Sequence, residues 1–448
     1  MASATDLVRR LRELPAAAPL RDVLDDDPTV HVVGGAVRDL LLGGQPLDLD
    51  LVVDGDVVAV ASRLADGLGG ELQVHDRFGT ATVTAGGCSY DLVRARAETY
   101  ARPGALPDVR PGTLAEDLRR RDFTVNAIAV TLGGRFETVP EAFDDLVARR
   151  LRVLHDASFR DDPTRLLRLV RYATRLGFAV EPATARLAAE AVAAGALGTV
   201  TGPRIGGELR LLLREPAVDE ALAWVASWGG GDALVEGLSY DAELAAAALR
   251  LLPEDGRPDL LRLAVAGGGV GGRLLGRWLG ELGFTARERD TVVGAARGAA
   301  GAAARLAAAA ADGRPSAVAE ALRGATPELA ALAGALGGSV GVAGALGDPG
   351  AAGSGGAAGS VGAAGSVGAA GAAGAAGVAA AAAVEGAARR WLDGLRHVRL
   401  EIDGDDLRGA GVPQGEAIGR ALAAALRAKL DGEAVGAEAE LAAALAGV

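Results

Sequence analysis

Cysteine and lysine are almost absent from this chain of 448 residues, which has one of each, Cys88 and Lys429. A single thiol forms no disulfide within the chain and supplies no cysteine-rich zinc site, which fits a reducing cytoplasm. Because lysine is so rare, arginine carries nearly all of the positive charge. The abundance of Ala, Gly and Val indicates a GC-rich genome and gives no information about function.

Long runs of bulky apolar residues are also missing. No stretch of about 18 or more apolar residues has side chains large enough for a membrane span, and the N-terminus lacks the basic head and long apolar run of a signal peptide. The net charge of −12 argues against a protein that coats nucleic acid indiscriminately. The length predicts roughly two to four domains, and we expect a cytoplasmic protein without a membrane partner.

Strand-like and helix-like segments alternate over about the first 150 residues. From Asp162 to about Leu329, Leu and Ala recur at helical spacing without a convincing strand. The pattern predicts an α+β fold, in which a head with a mixed β-sheet and helices precedes an all-α neck and body and a small helical tail. The strand-like runs are 29–33, 47–53, 80–84 and 89–93, the helical runs are 36–42 and 57–68, and 125–132 continues the alternation. The predicted domains are a head at 1–154, a neck at 155–275, a body at 276–345, a linker at 346–386 and a tail at 387–448.

No charged residue lies between Asp348 and Glu385, where units similar to GAAGSV repeat. Such a segment has little to bury and high backbone freedom, so we interpret residues 346–386 as a flexible linker. A specific binding repeat is the less favoured alternative. The compact tail that follows has Trp391 as its only large anchor.

The strongest chemical signal is a strand that ends at Gly34 and Gly35, where a helix starts at once. Two glycines let backbone N–H groups approach an anion closely, and the helix N-terminus favours phosphate. On the next strand Asp48 and Asp50 alternate with leucine, so both carboxylates point to one face. Two such acids can hold a pair of Mg²⁺ ions about 4 Å apart, which is the geometry of in-line phosphoryl transfer.

The alternative for these acids is a solvated edge strand whose charges only limit aggregation. The strand–glycine–helix junction directly before Asp48 and Asp50 favours the metal site. Asp91, on a later strand-like run, is a candidate third acid, and a turn or surface role is an equally open interpretation.

Arginines cluster with acids in two further blocks. In the first, from Glu116 to Val130, three arginines precede Asp122. The planar fork of arginine suits phosphate, and an aspartate can accept from ribose hydroxyls. A solvated charge run is the alternative for this block.

In the second block, Asp162 and Pro163 form a good helix start. Asp161, Asp162 and Arg165 offer donors and acceptors that match the edge of a nucleobase, while capping by Asp162 without a ligand carries equal weight. Further on, Arg204 and Glu208 are spaced i, i+4, which predicts an ordinary surface pair. The basic and aromatic residues that share or flank the face of the first helix are Arg165, Arg168, Arg171, Tyr172 and Arg175.

These blocks resemble the class II CCA-adding tRNA nucleotidyltransferases and the related bacterial poly(A) polymerases, of the superfamily that includes DNA polymerase beta. The motifs GGAVRD, DLD, RRDFTVNAIA and DDPTRLLRLVRY occur in family order, and the similarity runs from about Val30 to Leu213. The tail sequence LEIDGDDLRGAGVPQGEAIGRAL is similar to a segment that is implicated in supporting tRNA. The resemblance implies template-independent addition of nucleotides from CTP and ATP to the 3′ end of tRNA, with two Mg²⁺ ions and no DNA partner.

The resemblance also implies a role for each matching residue. The metals would be bound by Asp48 and Asp50, with Asp91 as an auxiliary acid. The residues that would hold the triphosphate are Gly34, Gly35 and Arg38, and those that would contact the sugar and phosphates are Arg121, Asp122 and Asn126. The residues that would read the base edges are Asp162 and Arg165, braced by Arg168 and Arg171. Family members often carry Glu at the position of Asp161, which leaves its role open.

Residues 95–114 fall where the family has a loop that is implicated in the switch from C to A addition. Their sequence is more similar to relatives that include A-adding and CC-adding enzymes, so a partial enzyme of either kind or a poly(A) polymerase remains an alternative to full CCA addition. A catalytically inactive RNA-binding protein would have lost a metal-binding acid, yet Asp48 and Asp50 are both present. A nucleotide-sensing regulatory module would leave the arginine-rich helical part unexplained. The sequence makes no prediction of oligomeric state.

Overall fold

The computed structural model describes residues 4–14, 17–24, 27–46, 49–75, 79–227, 229–345 and 366–448. The chain divides into two compact units, Met1–Leu234 and Val235–Val448. The predicted neck at 155–275 therefore spans this division.

The first unit combines β-strands with helices. Its strands are β1 Val30–Val33, β2 Leu49–Val53, β3 Glu71–His75, β4 Thr80–Ala85, β5 Cys88–Arg94, β6 Arg96–Thr99, β7 Asp108–Pro111, β8 Ile128–Thr131, β9 Phe136–Thr138, β10 Arg150–Leu151 and β11 Ala179–Val180. Its helices are α1 Ala4–Glu13, α2 Ala18–Leu24, α3 Gly35–Leu41, α4 Val57–Leu68, α5 Leu114–Arg119, α6 Ala142–Val147, α7 Ser158–Asp161, α8 Thr164–Leu176, α9 Pro182–Ala193, α10 Gly202–Leu212, α11 Val218–Ser227 and α12 Gly230–Leu234.

In the described part of this unit, the main sheet is mixed and has the strand order β3-β4-β5-β2-β1-β8-β9. Strands β2 and β5 run parallel, and the other neighbours in the sheet are antiparallel. A separate antiparallel hairpin joins β6 to β7, and β10 pairs in parallel with β11. The predicted head with a mixed sheet and helices is confirmed.

The central strands of the sheet are buried, and their residues are mostly apolar. Strands β1 and β8 are buried along their whole length. On β2, Leu49 and Leu51 are buried and Asp50 is exposed, as the alternation of the sequence predicts. Helix α4 packs on β4 and β5, and its first turn is capped by Asp56, whose side chain accepts from the backbone N–H groups of Val58 and Ala59.

Most sequence-predicted elements of the head are present, and α4 has the predicted bounds. The run at 125–132 begins with a 3₁₀ turn, Thr124–Asn126, before β8. Strands β3, β6, β7, β9, β10 and β11 were not predicted, and β11 lies in the segment from Asp162 onwards that was predicted to contain no strand. All four residues of β7 are exposed, so no apolar alternation marks this strand in the sequence.

In the described part of the second unit, the regular elements are all helices, as predicted. Its helices are α13 Ala242–Leu249, α14 Pro258–Ala266, α15 Gly272–Glu281, α16 Ala286–Asp312, α17 Pro315–Ala321, α18 Pro327–Ala345, α19 Ser366–Asp393, α20 Gly404–Gly409, α21 Glu416–Leu430 and α22 Ala437–Ala446. Among the residues that the structure describes, no helix is both long and apolar enough to cross a membrane.

The predicted linker and tail differ from the structure. Residues 346–365 lie outside the described residues, but the chain is helical from Ser366 to Asp393. Val384 and Trp391 on α19 are buried in a cluster with α16 and α18, so the linker prediction is wrong for the end of that segment, and Trp391 does not anchor a separate tail. The tail has its own core instead, which includes Ile402, Leu407, Val412, Ala421, Ala425 and Ala444.

Candidate active site

Asp50 and Asp91 lie side by side on the parallel strands β2 and β5. Their Cα atoms are register partners, and both residues are exposed. Register partners share a face of a sheet and neighbouring strands lie about 4.8 Å apart, so the two carboxylates are close together. Thr82 Oγ1 on β4 donates to Asp91 Oδ1 at 2.8 Å and orients that carboxylate. Asp48 lies outside the described residues, so its place beside this pair stays a prediction.

The backbone turns sharply at Gly34, between β1 and α3. Its φ is +72°, and a Cβ at this position would lie 2.7 Å from Nη1 of Arg121. Glycine is therefore required both by the backbone conformation and by the neighbouring guanidinium. The junction places a cation directly against the glycine backbone, where the sequence predicts a phosphate.

A cavity of about 670 Å³ opens beside this junction, a volume in the usual range for small-ligand sites. Its walls come from the glycine junction, β2, the hairpin β6–β7, the segment at 120–126 and helices α8 and α10. The predicted site residues in its lining are Gly34, Gly35, Asp50, Arg121, Asp122, Asn126, Asp162, Arg165 and Arg168. Three blocks that are separate in sequence therefore form one cavity.

Arg38, Asp91 and Arg171 are predicted site residues that do not line this cavity. Arg38 is 2% exposed. Its Nη1 donates to Asn126 Oδ1 at 2.5 Å, and its Nε donates to Asp39 Oδ1 at 2.8 Å. Arg38 thus holds the side chain of Asn126, which lines the cavity, although Arg38 itself does not line it. The contact of Arg38 with a triphosphate stays a prediction.

Asp122 is the centre of a buried network. Its Oδ1 accepts from Asn126 Nδ2 at 2.9 Å, and its Oδ2 accepts from Arg168 Nη2 at 2.6 Å. Burial alone would raise the pKa of Asp122, but the charge of Arg168 and the hydrogen bonds from Asn126 and Arg168 outweigh burial and lower the pKa to about 2. The carboxylate is therefore ionised at ordinary pH and holds Arg168 and Asn126 at the cavity wall.

The same network continues from α8 to α10. Arg168 Nη1 donates to Glu208 Oε1 at 3.0 Å, and Arg171 pairs with Glu208 at 3.5 Å and with Glu215 at 3.4 Å. Two arginines on α8 thus face Glu208 on α10 and Glu215, which follows α10 in the chain. Arg168 and Arg171 thereby brace α8 against α10.

Tyr172 packs under the arginines of this network. The distances from its ring centroid to Cζ are 5.2 Å for Arg38, 5.6 Å for Arg168 and 4.6 Å for Arg171. Phe123 meets the ring edge-on, with 6.0 Å between centroids. Each cation–π contact contributes roughly 0.5–2 kcal/mol. The ring is therefore a shared platform for guanidinium groups that carry like charges.

Asp162 lies just before α8, which begins at Thr164, one residue later than the sequence predicts. Its Oδ1 accepts from the Thr164 N–H at 3.1 Å, from Thr164 Oγ1 at 2.6 Å and from Arg204 Nη2 at 2.8 Å. The predicted surface pair between Arg204 and Glu208 is wrong, because each residue has a partner on the other side of the cavity. Asp162 therefore both supports the helix start and lines the cavity.

Arg165 is buried next to Asp162. Its Nη1 donates to Ser158 Oγ at 2.6 Å, and its Nη2 donates to the Arg120 carbonyl at 2.6 Å. These bonds fix the plane of the guanidinium at the cavity wall. Asp161 points elsewhere, because its carboxylate lies 4.0 Å from His155 Nδ1 and the residue is not in the lining.

The resemblance pointed to residues 95–114 as a loop implicated in the switch from C to A addition, but the sequence predicted neither the hairpin β6–β7 nor α10 as a wall of the cavity. In the hairpin, Glu98 accepts from Arg96 Nε at 3.1 Å, from Arg120 Nη1 at 3.0 Å and from Tyr100 Oη at 3.0 Å. Burial and the charge of Glu98 raise the pKa of Tyr100 to about 12, which keeps its hydroxyl a donor. On α10 the lining residues recur at helical spacing, a signal that was available in the sequence, and they are Pro203, Arg204, Gly207, Glu208 and Leu211.

Comparison with known proteins agrees with this geometry. A family model described as the poly A polymerase head domain matches residues 30–152. The CC-adding tRNA nucleotidyltransferase of Deinococcus radiodurans is 45% identical over 215 residues, which cover 46% of this chain and 56% of the relative. The A-adding tRNA nucleotidyltransferase of Halalkalibacterium halodurans is 43% identical over 216 residues, which cover 47% of this chain and 49% of the relative. The matches thus span about half the length of these relatives.

Solved structures are similar over nearly the whole chain. An apo CCA-adding enzyme superimposes with a TM-score of 0.79 and 27% identity, and the match covers 99% of each chain. A CCA-adding enzyme in complex with CTP gives a TM-score of 0.75 and 26% identity over 99% of this chain and 98% of that one. The Thermotoga maritima CCA-adding enzyme complexed with tRNA gives a TM-score of 0.73 and 26% identity, with the same coverage. The chain is therefore similar to the CCA-adding enzymes in its fold and to the poly A polymerase head domain over residues 30–152.

Proposed function

We propose that this chain transfers nucleotides from CTP and ATP to the 3′ end of tRNA. The observation that carries the proposal is the cavity itself, which has Asp50 and the glycine junction in its wall together with Asp162 and Arg165. An acid for phosphoryl transfer and a donor–acceptor pair for a base edge are thus available to one bound nucleotide. The CTP and tRNA complexes of the similar CCA-adding enzymes support this assignment.

In the proposed complex, the base of the incoming nucleotide lies against Asp162 and Arg165. The exocyclic amino group of cytosine or adenine donates to the Asp162 carboxylate, and Arg165 donates to a ring acceptor beside it. Uracil and guanine present a carbonyl oxygen at the amino position, which a carboxylate repels. The protein thereby selects C and A without a nucleic-acid template.

The triphosphate is proposed to lie against the Gly34–Gly35 backbone and Arg121. Backbone N–H groups and a guanidinium both donate to phosphate oxygens. The 3′-hydroxyl of the tRNA gives up its proton to solvent, and its oxygen forms a bond to the α-phosphorus. The bond from the α-phosphorus to the oxygen that bridges it to the β-phosphorus breaks, and pyrophosphate leaves with that oxygen. The chain positions these groups and balances their negative charge.

The residues fit Mg²⁺, because Asp50 and Asp91 present two adjacent exposed carboxylates and Mg²⁺ prefers oxygen ligands. Asp50 and the predicted Asp48 would hold the two ions, with Asp91 beside them. When bound, the ions would activate the attacking hydroxyl and neutralise charge on the leaving pyrophosphate.

A partial enzyme that adds only C or only A is the second candidate, because the relatives at 45% and 43% identity reported above are a CC-adding and an A-adding enzyme. Incorporation by purified protein with Mg²⁺ distinguishes these activities. The primers are tRNA transcripts that lack CCA, end in C or end in CC, with CTP and ATP supplied separately and together.

Stepwise completion to CCA followed by arrest establishes the full activity. Incorporation of one nucleotide type alone assigns a CC- or A-adding enzyme, and long A tails assign a poly(A) polymerase. Binding of tRNA without any incorporation would overturn the proposal and leave a nucleic-acid-binding protein. Asp50→Ala serves as the inactive reference.

A further inference from the structure

Arg204 on α10 bridges two parts of the candidate site. Its Nη2 donates to Asp162 Oδ1 at 2.8 Å. Its Nη1 donates to the carbonyl oxygens of Gly104 at 3.0 Å and Ala105 at 3.4 Å, in the connection between β6 and β7. One guanidinium therefore joins the hairpin β6–β7 to the carboxylate that faces the base position.

The bridge has little freedom to move. The side chains of Arg204 and Asp162 are 22% and 20% exposed, so solvent screens their interaction only partly. The Arg204 backbone N–H donates to the Thr201 carbonyl at 3.0 Å in the first turn of α10, which fixes the base of the side chain. A planar guanidinium that donates on two sides transmits the position of one partner to the other.

The hairpin is anchored beside Arg204 at Gly104. The Gly104 N–H donates to the Arg160 carbonyl at 3.2 Å. Its φ is +70°, and a Cβ at this position would lie 2.7 Å from the carbonyl oxygen of Thr199. The hairpin connection therefore packs against the chain without space for a side chain, and any shift of the hairpin acts directly on the two carbonyls that Arg204 contacts.

On Asp162, the hydrogen bonds fall on one oxygen. Oδ1 accepts from the Thr164 N–H, from Thr164 Oγ1 and from Arg204 Nη2. Within the described part of the chain, none of these three bonds goes to the other carboxylate oxygen of Asp162, Oδ2. Oδ2 is therefore the oxygen that can accept a hydrogen bond from a ligand. The direction of Oδ2 depends on the Thr164 donors from its own turn and on Arg204 from α10.

We infer that Arg204 is a positioning residue that sets nucleobase selection, because it couples the hairpin β6–β7 to the orientation of the Asp162 carboxylate. The inference deepens the proposed function and rests on it for the identity of the ligand. Arg204 contacts Asp162 and the hairpin backbone, not the groups assigned to phosphoryl transfer. Its loss is therefore expected to change discrimination between bases more than the transfer step.

The test uses full-length Arg204→Met, which keeps the length of the side chain and removes its donors. Relative kcat/KM is measured for CTP, ATP, GTP and UTP, each supplied alone with a tRNA transcript. Because the change removes a hydrogen bond to the charged Asp162 carboxylate, the preference for the best nucleotide over the worst should fall about tenfold or more. Arg204→Lys, which keeps one charged donor, should restore part of the preference.

Arg186→Met is the matched control, because Arg186 lies in the same unit in an exposed i, i+4 pair with Glu190. It should leave the preference unchanged. A uniform loss for all four nucleotides in Arg204→Met, with an unchanged preference, would show a merely structural role and overturn the inference.

Gly104→Ala tests the coupling from the side of the hairpin. It should shift the preference in the same direction as Arg204→Met, and the double variant should be no worse than the more severe single variant, since both changes break one connection. Additive effects would contradict the coupling.

Equilibrium binding of the four nucleotides separates this inference from the proposed function. If the wild-type chain incorporates no nucleotide, the proposed function is refuted. The relative affinities of the wild type and Arg204→Met for the four nucleotides still test the role of Arg204 in that case. If Arg204→Met binds the four nucleotides with the wild-type preference, the inference is wrong whether or not the wild type is active.

Discussion

Asp50 is the residue whose replacement tests the proposed chemistry most directly. It is exposed on β2, it is the register partner of Asp91, and it lines the cavity. We expect Asp50→Asn to reduce nucleotide incorporation by at least roughly 1,000-fold, because metal-assisted charge stabilisation contributes several kcal/mol to phosphoryl transfer. Steady-state incorporation of CTP and ATP with Mg²⁺ measures this loss.

Asp54→Asn is the control for this change. Asp54 is an exposed acid that follows the same strand and does not line the cavity. It should incorporate nucleotides at the wild-type rate. If Asp50→Asn and Asp54→Asn both have near-normal activity, Asp50 is not required for catalysis.

The lowered pKa of Asp122 gives a prediction about acid stability. Its folded pKa of about 2 lies below the unfolded value of about 3.9, so the ionised group stabilises the fold fully above pH ~4, and this contribution is lost as pH falls towards 2. The pKa difference corresponds to roughly 2–3 kcal/mol. The free energies of unfolding of the wild type and of Asp122→Asn are measured in urea, with hydrogen exchange at residues 116–130 as the probe. The difference between the two free energies should be constant from pH 8 to 5 and shrink below pH 4.

A difference in stability that stays constant down to pH 2.5 would contradict the lowered pKa. The exchange pulse is applied at one fixed pH for all samples, so intrinsic exchange rates cancel. Asp144→Asn, at an acid for which the structure gives no partner comparable to Arg168, serves as the reference for a general loss of negative charge.

At the level of single residues, the sequence predicted which side chains meet but not how they are arranged. Nine of the predicted residues line one cavity, because glycine junctions, alternating acids and helical arginines each have a readable local pattern. Arg38 lies in a motif that suggests phosphate contact, yet Asn126, Asp39 and Tyr172 surround its guanidinium. Those neighbours come from long-range packing, which no local pattern records.

Among the structural elements, the glycine junction between β1 and α3 offers a direct test of the proposed phosphate site. An alanine at position 34 would have to adopt a φ of +72° and place its methyl group against Arg121 Nη1. We expect Gly34→Ala to weaken CTP and ATP binding about tenfold or more, because a strained backbone conformation of this kind costs about 1–3 kcal/mol and Arg121 must move. Isothermal titration with each nucleotide measures the change.

Gly69→Ala is the matched control for backbone strain. Gly69 ends α4 with a φ of +61°, and a Cβ there would meet nothing within 4 Å. This variant should lose stability and keep its nucleotide affinity. Equal losses of affinity in the two variants would mean that strain alone, and not the contact with Arg121, explains the result at Gly34.

The elements that the sequence missed share a physical cause. The hairpin β6–β7 is short and polar, and its partners are side chains from other segments, such as Arg120 and Arg204. The i, i+4 spacing of Arg204 and Glu208 predicted a local pair, but each finds a partner across the cavity. A local pair on a helix surface is worth only about 0.2–0.5 kcal/mol, so a half-buried long-range partner easily replaces it.

On the scale of the whole chain, all residues that line the cavity belong to the unit Met1–Leu234. The unit Val235–Val448 has separate cores, one of which packs Trp391 of α19 among residues of α16, α17 and α18. That core is rich in alanine, so a single large side chain fills much of its space. Nucleotide binding and the stability of the second unit should therefore respond to different substitutions.

Trp391→Ala tests this separation. Trp391 is 7% exposed, and removal of a buried tryptophan costs about 3–5 kcal/mol, so the second unit should melt at a clearly lower temperature in calorimetry. CTP affinity at 10 °C should match the wild type, because no residue of the cavity is changed. Val378→Ala on the same helix removes a side chain that is 58% exposed and should alter neither property. A loss of CTP affinity in Trp391→Ala, while the second unit is still folded, would show that the cavity depends on α19.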